Sequence, residues 1–113
     1  MAKTGSADVD KVFEALADPT RRRVVEMLGS GPRRAGELAA ASKTSAPTMS
    51  RHLRALLEAG VVSDERPHDD ARARLFRLRP ESIAGLQAWA DQVQAEWSEQ
   101  LRSFKRHVER RKR

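Results

Sequence analysis

Residues 37–62 read ELAAASKTSAPTMSRHLRALLEAGVV, and the reading of this stretch decides the fold. Its first part, a short alanine-rich segment over residues 35–41, predicts a helix anchored by Leu38, with small residues that permit close crossing of a neighbour. Ser42-Lys43-Thr44-Ser45 is a polar turn. Ser45 is a good N-cap, because its side-chain oxygen can accept a backbone N–H at the start of a helix over residues 46–58. In that helix Met49, Leu53, Leu56 and Leu57 fall on one face at 3.6-residue spacing, so Pro47, Thr48, Arg51, Arg54 and Ala55 face away. Gly60 ends it. Two short helices joined by a polar turn, the second with arginines opposite its apolar stripe, form the pattern of a DNA-reading helix-turn-helix.

The flanks extend the pattern in both directions. Upstream, Val9, Val12, Phe13 and Leu16 recur at i, i+3, i+4 and i+7, which predicts an amphipathic helix over residues 8–17. Asp18-Pro19 then starts another: Asp18 can cap it, and Pro19 costs no hydrogen bond at its first position. That helix buries Val24, Val25 and Leu28 and stops at Gly29-Ser30-Gly31-Pro32. Arg21, Arg22 and Arg23 stand in its first turns, where the helix dipole disfavours cations, so they are expected to face solvent or an external anion.

Downstream, residues 61–66 and 73–78 read as two strands around Pro67-His68-Asp69-Asp70-Ala71, with Phe76 and Leu78 toward the core. Such a hairpin directly after a reading helix is a wing. Arg79-Pro80 opens a helix expected over residues 81–109, in which Ile83, Leu86, Trp89, Val93, Trp97, Leu101, Phe104 and Val108 recur at steps of three or four. At 1.5 Å per residue it spans roughly 43 Å, more than a domain of this size can cover. An uncovered stripe bearing two tryptophans and a phenylalanine needs a partner, and a second copy of the same helix is the simplest. The expected architecture is mainly α (α+β): one domain over residues 1–113, about five helices and a two-stranded wing, ending in a basic tail over residues 110–113 that frays.

Composition narrows the function. The chain has 113 residues, a net charge of +6 and no cysteine. From Arg102 onward seven cations meet only Glu109, so the tail alone accounts for the net charge and residues 1–101 are neutral. Within residues 33–54, however, Arg33, Arg34, Lys43, Arg51 and Arg54 oppose only Glu37, a local excess of +4 on the suspected reading unit. Local charge of that kind supports contact with phosphate. No apolar run suits a membrane span and MAKTGSADVD lacks the apolar core of a signal peptide, so the expectation is a cytosolic protein without membrane contact.

Candidate contacts follow from position. Arg51 and Arg54 can bond guanine O6 and N7; Ser45, Thr48 and Ser50 can serve phosphates or base edges; Pro47, beside Ala46, can touch a thymine methyl. In the wing, Arg66, Arg72 and Arg74, with His68, can lie along phosphates or in the minor groove. His52 borders the apolar face and is expected to pack or to make a hydrogen bond that fixes the helix. Ser50 and His52 diverge at i and i+2, and with no nucleophile–base pair or phosphate loop the chain is not read as an enzyme. A winged-helix module that docks a protein instead of DNA is the competing class, against which the +4 excess argues.

Four segments together carry a family likeness: Ala15-Leu16-Ala17-Asp18-Pro19-Thr20-Arg21-Arg22, Glu37-Leu38-Ala39, Ser50-Arg51-His52-Leu53, and Leu57-Glu58-Ala59-Gly60-Val61-Val62. With them the chain resembles the ArsR/SmtB-like family of bacterial winged-helix repressors over nearly its whole length. The resemblance implies a homodimer built from the first and last helices, here Val9, Val12 and Phe13 with Leu86, Trp89, Val93, Trp97, Leu101 and Phe104. It also implies binding to double-stranded DNA at an inverted repeat, often the repressor's own promoter. The chain departs from the metal-sensing branch: residues 35–41 offer only Glu37 as a ligand, and Asp91, His107 and Glu109 on the last helix do not repeat at i, i+4. The expectation is therefore no metal and no cofactor, with a metal-responsive repressor using a different site as the nearest variant. Nothing in the sequence names an effector.

Overall fold

A computed structural model describes residues 5–66 and 73–111, with side chains from Val9 onward. The elements run α1 (Gly5–Leu16), α2 (Pro19–Leu28), β1 (Arg33–Arg34), α3 (Ala35–Ala41), α4 (Ala46–Glu58), β2 (Val62–Glu65), β3 (Leu75–Leu78) and α5 (Pro80–Arg111). Among the described residues no helix is long and apolar enough to cross a membrane.

Local chemistry sets most of these boundaries. The Asp18 carboxylate accepts the Arg21 backbone N–H at 3.0 Å, capping α2 with Pro19 at its first position. Ser45 Oγ accepts the Thr48 N–H at 3.3 Å and starts α4. At α3 the cap works from the other side: the Glu37 carboxylate reaches back to the Arg34 N–H at 2.9 Å, which satisfies a donor that the helix leaves unpaired. Both helices of the central pair end in the same paired bonds. In α3 the Thr44 N–H reaches Ala39 O and Lys43 N–H reaches Ala40 O; in α4 the Val61 N–H reaches Leu56 O and Gly60 N–H reaches Leu57 O. This ending needs a left-handed residue just past the helix, supplied by Gly60 at φ 77° and, unusually, by Lys43 at φ 55°. A lysine there pays a steric cost that a glycine escapes.

The core lies where α1, α2, α3, α4 and the sheet converge. Val24, Leu38, Met49, Leu56 and Val61 are fully buried, with Leu53, Val62 and Phe76 at 1–2% exposure. The stripe Met49, Leu53, Leu56 thus faces inward as its spacing predicts. β2 and β3 pair antiparallel without a bulge, Val62 opposite Leu78 and Glu65 opposite Leu75. A third strand, absent from the sequence reading, completes the sheet in the order β1-β3-β2, with Arg33 opposite Phe76 and Arg34 opposite Leu75. Two charged residues carry no periodicity, so only tertiary pairing reveals them as a strand.

α5 departs from compactness. None of its 32 residues is fully buried. Its first turns lie along α1, where Gly85 lets the Val9 side chain come close and the Phe13 and Trp89 rings meet edge to face at 4.9 Å. Beyond Trp89 it leaves the body, stretching the molecule to 75 × 36 × 21 Å with a radius of gyration of 19.7 Å. A compact chain of this length has about 13 Å. Arg110 and Arg111 are helical, not part of a frayed tail, as suits cations at the negative end of a helix dipole.

Candidate nucleic-acid interface

The outward face of α4 forms a continuous polar surface. Ser45 Oγ donates to Thr48 Oγ1 at 3.0 Å, and Arg51 Nη2 donates to the same oxygen at 3.3 Å, so the Arg51 guanidinium is drawn along the helix toward its N-terminal turn. Pro47, Ser50, Arg51 and Arg54 are exposed and Thr48 is half-buried. Arg34 and Lys43, at the start and end of α3, are also exposed. Four of the five cations behind the +4 excess are thus exposed, and Arg33 is partly spent on closing α2 through Met27 O and Ser30 Oγ.

At the base of the wing, Ser50 and Arg54 of α4 face Arg74 and Phe76 across a cleft of ≈ 160 Å³. Arg74 is half-buried; its Nε donates to Asp64 Oδ2 at 2.6 Å and its guanidinium lies 4.9 Å from the centre of the Phe76 ring. Arg74 thus has partners inside the wing with which any DNA phosphate must compete. Arg77 is similarly paired with Glu65 at 3.1 Å. Arg66 is exposed. Arg72 and His68 lie outside the described residues, as does the wing turn.

Two arginines of α2 also turn back onto the end of α1. Arg21 Nε donates to Ala15 O at 2.6 Å, and Arg22 Nη1 donates to Leu16 O and Ala17 O at 2.8 and 3.1 Å. Arg22 and Arg23 are exposed to solvent, as expected, while Arg21 is half-buried; the carbonyls left open at the end of α1 attract Arg21 and Arg22 more than the start of α2 repels them. His52, 16% exposed at its side chain, lies 3.4 Å from Arg21 Nη1 and 3.9 Å from Asp18 Oδ2. The hydrogen bond from the Arg21 N–H, more than the nearby charges of His52 and Arg21, holds the Asp18 carboxyl below its ordinary range.

The residues assigned to an interface between copies divide. Val12, at 3% exposure, is part of the chain's own core and is corrected to a core residue: the apolar stripe of α1 is wide enough to serve both the core, through Val12 and Ala15, and α5, through Phe13. Val9, Leu86 and Val93 are half-buried. Phe13, Trp89, Trp97, Leu101 and Phe104 stay 41–65% exposed. Among the described residues no three His, Asp or Glu side chains group as ligands for a metal ion.

Residues 16–65 match the family model of a helix-turn-helix domain. The HTH-type transcriptional regulator Rv2034 of Mycobacterium tuberculosis is 38% identical over 84% of this chain and 83% of its own length. An ArsR-like transcriptional regulator from Rhodococcus sp. RHA1 superposes with a TM-score of 0.75 at 27% identity, covering 88% of this chain and 92% of that one. The homodimeric winged helix-turn-helix DNA-binding domain Mb0332 of Mycobacterium bovis, a possible ArsR-family transcriptional regulator, gives 0.62 at 27% identity over 85% and 92%.

Proposed function

The chain belongs to the ArsR/SmtB-like family of winged helix-turn-helix transcriptional regulators, and on that footing we propose that it is a homodimeric repressor that reads an inverted-repeat operator with α4. The observation that carries the proposal is the division of α4 into two faces. Met49, Leu53 and Leu56 lock it to the core, while Ser45, Pro47, Thr48, Ser50, Arg51 and Arg54 line the side that would enter a major groove. Arg34 and Lys43 flank that face and suit phosphates; in the wing, Arg66 and Arg72 are the cations proposed to reach DNA.

Dimerisation is proposed through α5 with Phe13 of α1. The exposed stripe from Trp89 to Phe104 supports it, and so does the homodimer formed by the Mycobacterium bovis relative. Charge agrees. Glu81, Asp91, Glu96 and Glu99 occupy the first part of α5, and Arg102, Lys105, Arg106, Arg110 and Arg111, against Glu109, the last. Two such helices related by a twofold axis and running antiparallel set acidic against basic segments. The axis would place the reading helices about 34 Å apart, in successive major grooves. The test is a footprint of the purified protein on DNA upstream of its own coding region. Two protected half-sites in inverted repeat are expected; uniform or absent protection on that and on genome-wide selected fragments would remove the reading.

A further inference from the structure

Where α1 gives way to α2 and α4 passes beside them, three polar side chains meet that neither the core nor the reading face employs. Arg21 is fixed on the α1 side: its backbone N–H is held by Asp18 and its Nε by the Ala15 carbonyl. Its remaining Nη1 points across the helix interface to His52 Nδ1, 3.4 Å away. His52 stands on α4 between Arg51 of the reading face and Leu53 of the core.

We propose that Arg21 is a positioning residue for the reading helix, and that protonation of His52 releases this tie and exchanges Arg21 for Asp18 as the partner of the imidazole. The two partners demand opposite states of one nitrogen. Arg21 can only donate, so its bond requires a bare Nδ1; Asp18 as a carboxylate can only accept, so it requires Nδ1–H. A neutral imidazole with its proton on Nε2 holds Arg21. A protonated one faces a second cation at 3.4 Å, loses that bond and is drawn to the carboxylate 3.9 Å away. Histidine is the side chain whose charge changes between about pH 5 and 8.

The other charges around this junction leave the exchange to Arg21 and Asp18. Lys11 and Glu14 from α1 and Glu58 from α4 line, with Arg21, an open cleft of ≈ 460 Å³ and are exposed. On α2, Arg22 is bonded to the Leu16 and Ala17 carbonyls and Arg23 and Glu26 are exposed; on the other elements packed against α4, Glu37 of α3 and Asp64 of β2 are engaged by the Arg34 N–H and by Arg74. Because α1 also packs on α5 through Phe13 and Trp89, the tie joins the helices proposed for assembly to the helix proposed for reading. Only this functional consequence rests on the DNA-reading proposal. Protonation adds a positive charge that favours any DNA, whereas misplacing α4 penalises the operator alone, so the informative quantity is the ratio of the two affinities.

Two measurements on the full chain test the tie. In imidazole and guanidinium ¹⁵N NMR without DNA, His52 should carry its proton on Nε2 at about pH 8, and acidification to about pH 5.5 should move the α4 amides with the same midpoint as His52. His52→Gln, which keeps an acceptor but does not titrate, should abolish that movement. An Nδ1–H tautomer at high pH, or α4 amides indifferent to His52, overturns the proposal. In the second, the affinity for the upstream fragment over a shuffled duplex should fall about tenfold between the two pH values, the scale of one net hydrogen bond, and stay within about twofold in His52→Gln. Arg21→Lys, which keeps the charge without the fork, should lower the ratio at both pH values and remove the further fall. A wild-type ratio flat with pH, or an undiminished response in His52→Gln, refutes the tie. No preference for the fragment at any pH counts against the DNA reading instead, and the NMR result then decides the tie by itself.

Discussion

Replacing Trp97 with alanine should break the dimer while leaving the folded chain intact. Trp97 is 61% exposed, and since a tryptophan offers about 150–250 Å² to burial, about 120 Å² of it remains for a partner to cover. At about 25 cal/mol per Å², covering it contributes about 3 kcal/mol, of which the alanine forfeits about 2. Twofold symmetry counts the loss twice, giving about 4 kcal/mol per dimer, or about 10³-fold in its dissociation constant. The position matters. Trp89 packs edge to face on Phe13 of the same chain, so changing it would also loosen α1 from α5, whereas α5 buries no residue fully within its own chain. Sedimentation velocity over a concentration series should therefore show the variant as a monomer where the parent is a dimer, with a circular dichroism spectrum matching that of the parent diluted to its own monomer. A dissociation constant within about threefold of the parent would refute the interface.

Arg51→Ala and Arg54→Ala should each weaken operator binding in titrated gel shifts. A residue that reads a base should cost about 1–3 kcal/mol and relax specificity at one position, and a phosphate contact should instead lower the salt slope by about one; no change in either would remove α4 as the reading helix. Lys43→Gly should raise the unfolding free energy in urea by about 0.5–1 kcal/mol, since glycine adopts the φ of 55° without a Cβ clash. A loss of stability would show that the lysine side chain contributes more than its backbone costs. Asp18 is held below its ordinary pKa by the Arg21 N–H, so its contribution to stability is complete above the unfolded carboxyl's value and disappears as pH falls through the folded one. Asp18→Asn, which keeps an acceptor oxygen, should accordingly make stability less sensitive to pH below about 4 in acid-titrated melts; an unchanged acid limb would contradict the assignment.

Where information is local, the sequence predicts well. α2 and α4 begin and end at the residues their caps indicate, because Asp18, Ser45 and Gly60 act on backbone groups within four positions of themselves. β1 was illegible for the opposite reason: Arg33 and Arg34 become a strand only by pairing with Phe76 and Leu75, far away in the chain. Arg21 and Arg22 stand at the disfavoured end of one helix dipole, while the stronger influence is the open end of the helix before it. The inward and outward faces of α4 follow from spacing, yet periodicity alone could not split the α1 stripe between Val12 for the core and Phe13 for α5. A bond fixing His52 was foreseeable from its place beside the apolar face; that Asp18 and Arg21 would share it was not. The left-handed Lys43 carries no sequence sign, since the residues that usually announce that conformation are glycine and asparagine.

If α5 pairs as proposed, its free reach makes protein concentration itself a variable of this regulator. Most of a helix's stability in a protein comes from packing of its apolar face, and the segment beyond Trp89 gains no full burial from its own chain. If its order is completed by a second copy, melting temperature must rise with concentration by mass action, and scarce monomers should present one half-site reader with a poorly anchored terminal helix. Promoter occupancy would then grow more steeply than in proportion to the number of chains, so that synthesis and dilution at cell division could shift the regulator between idle and engaged without any small molecule.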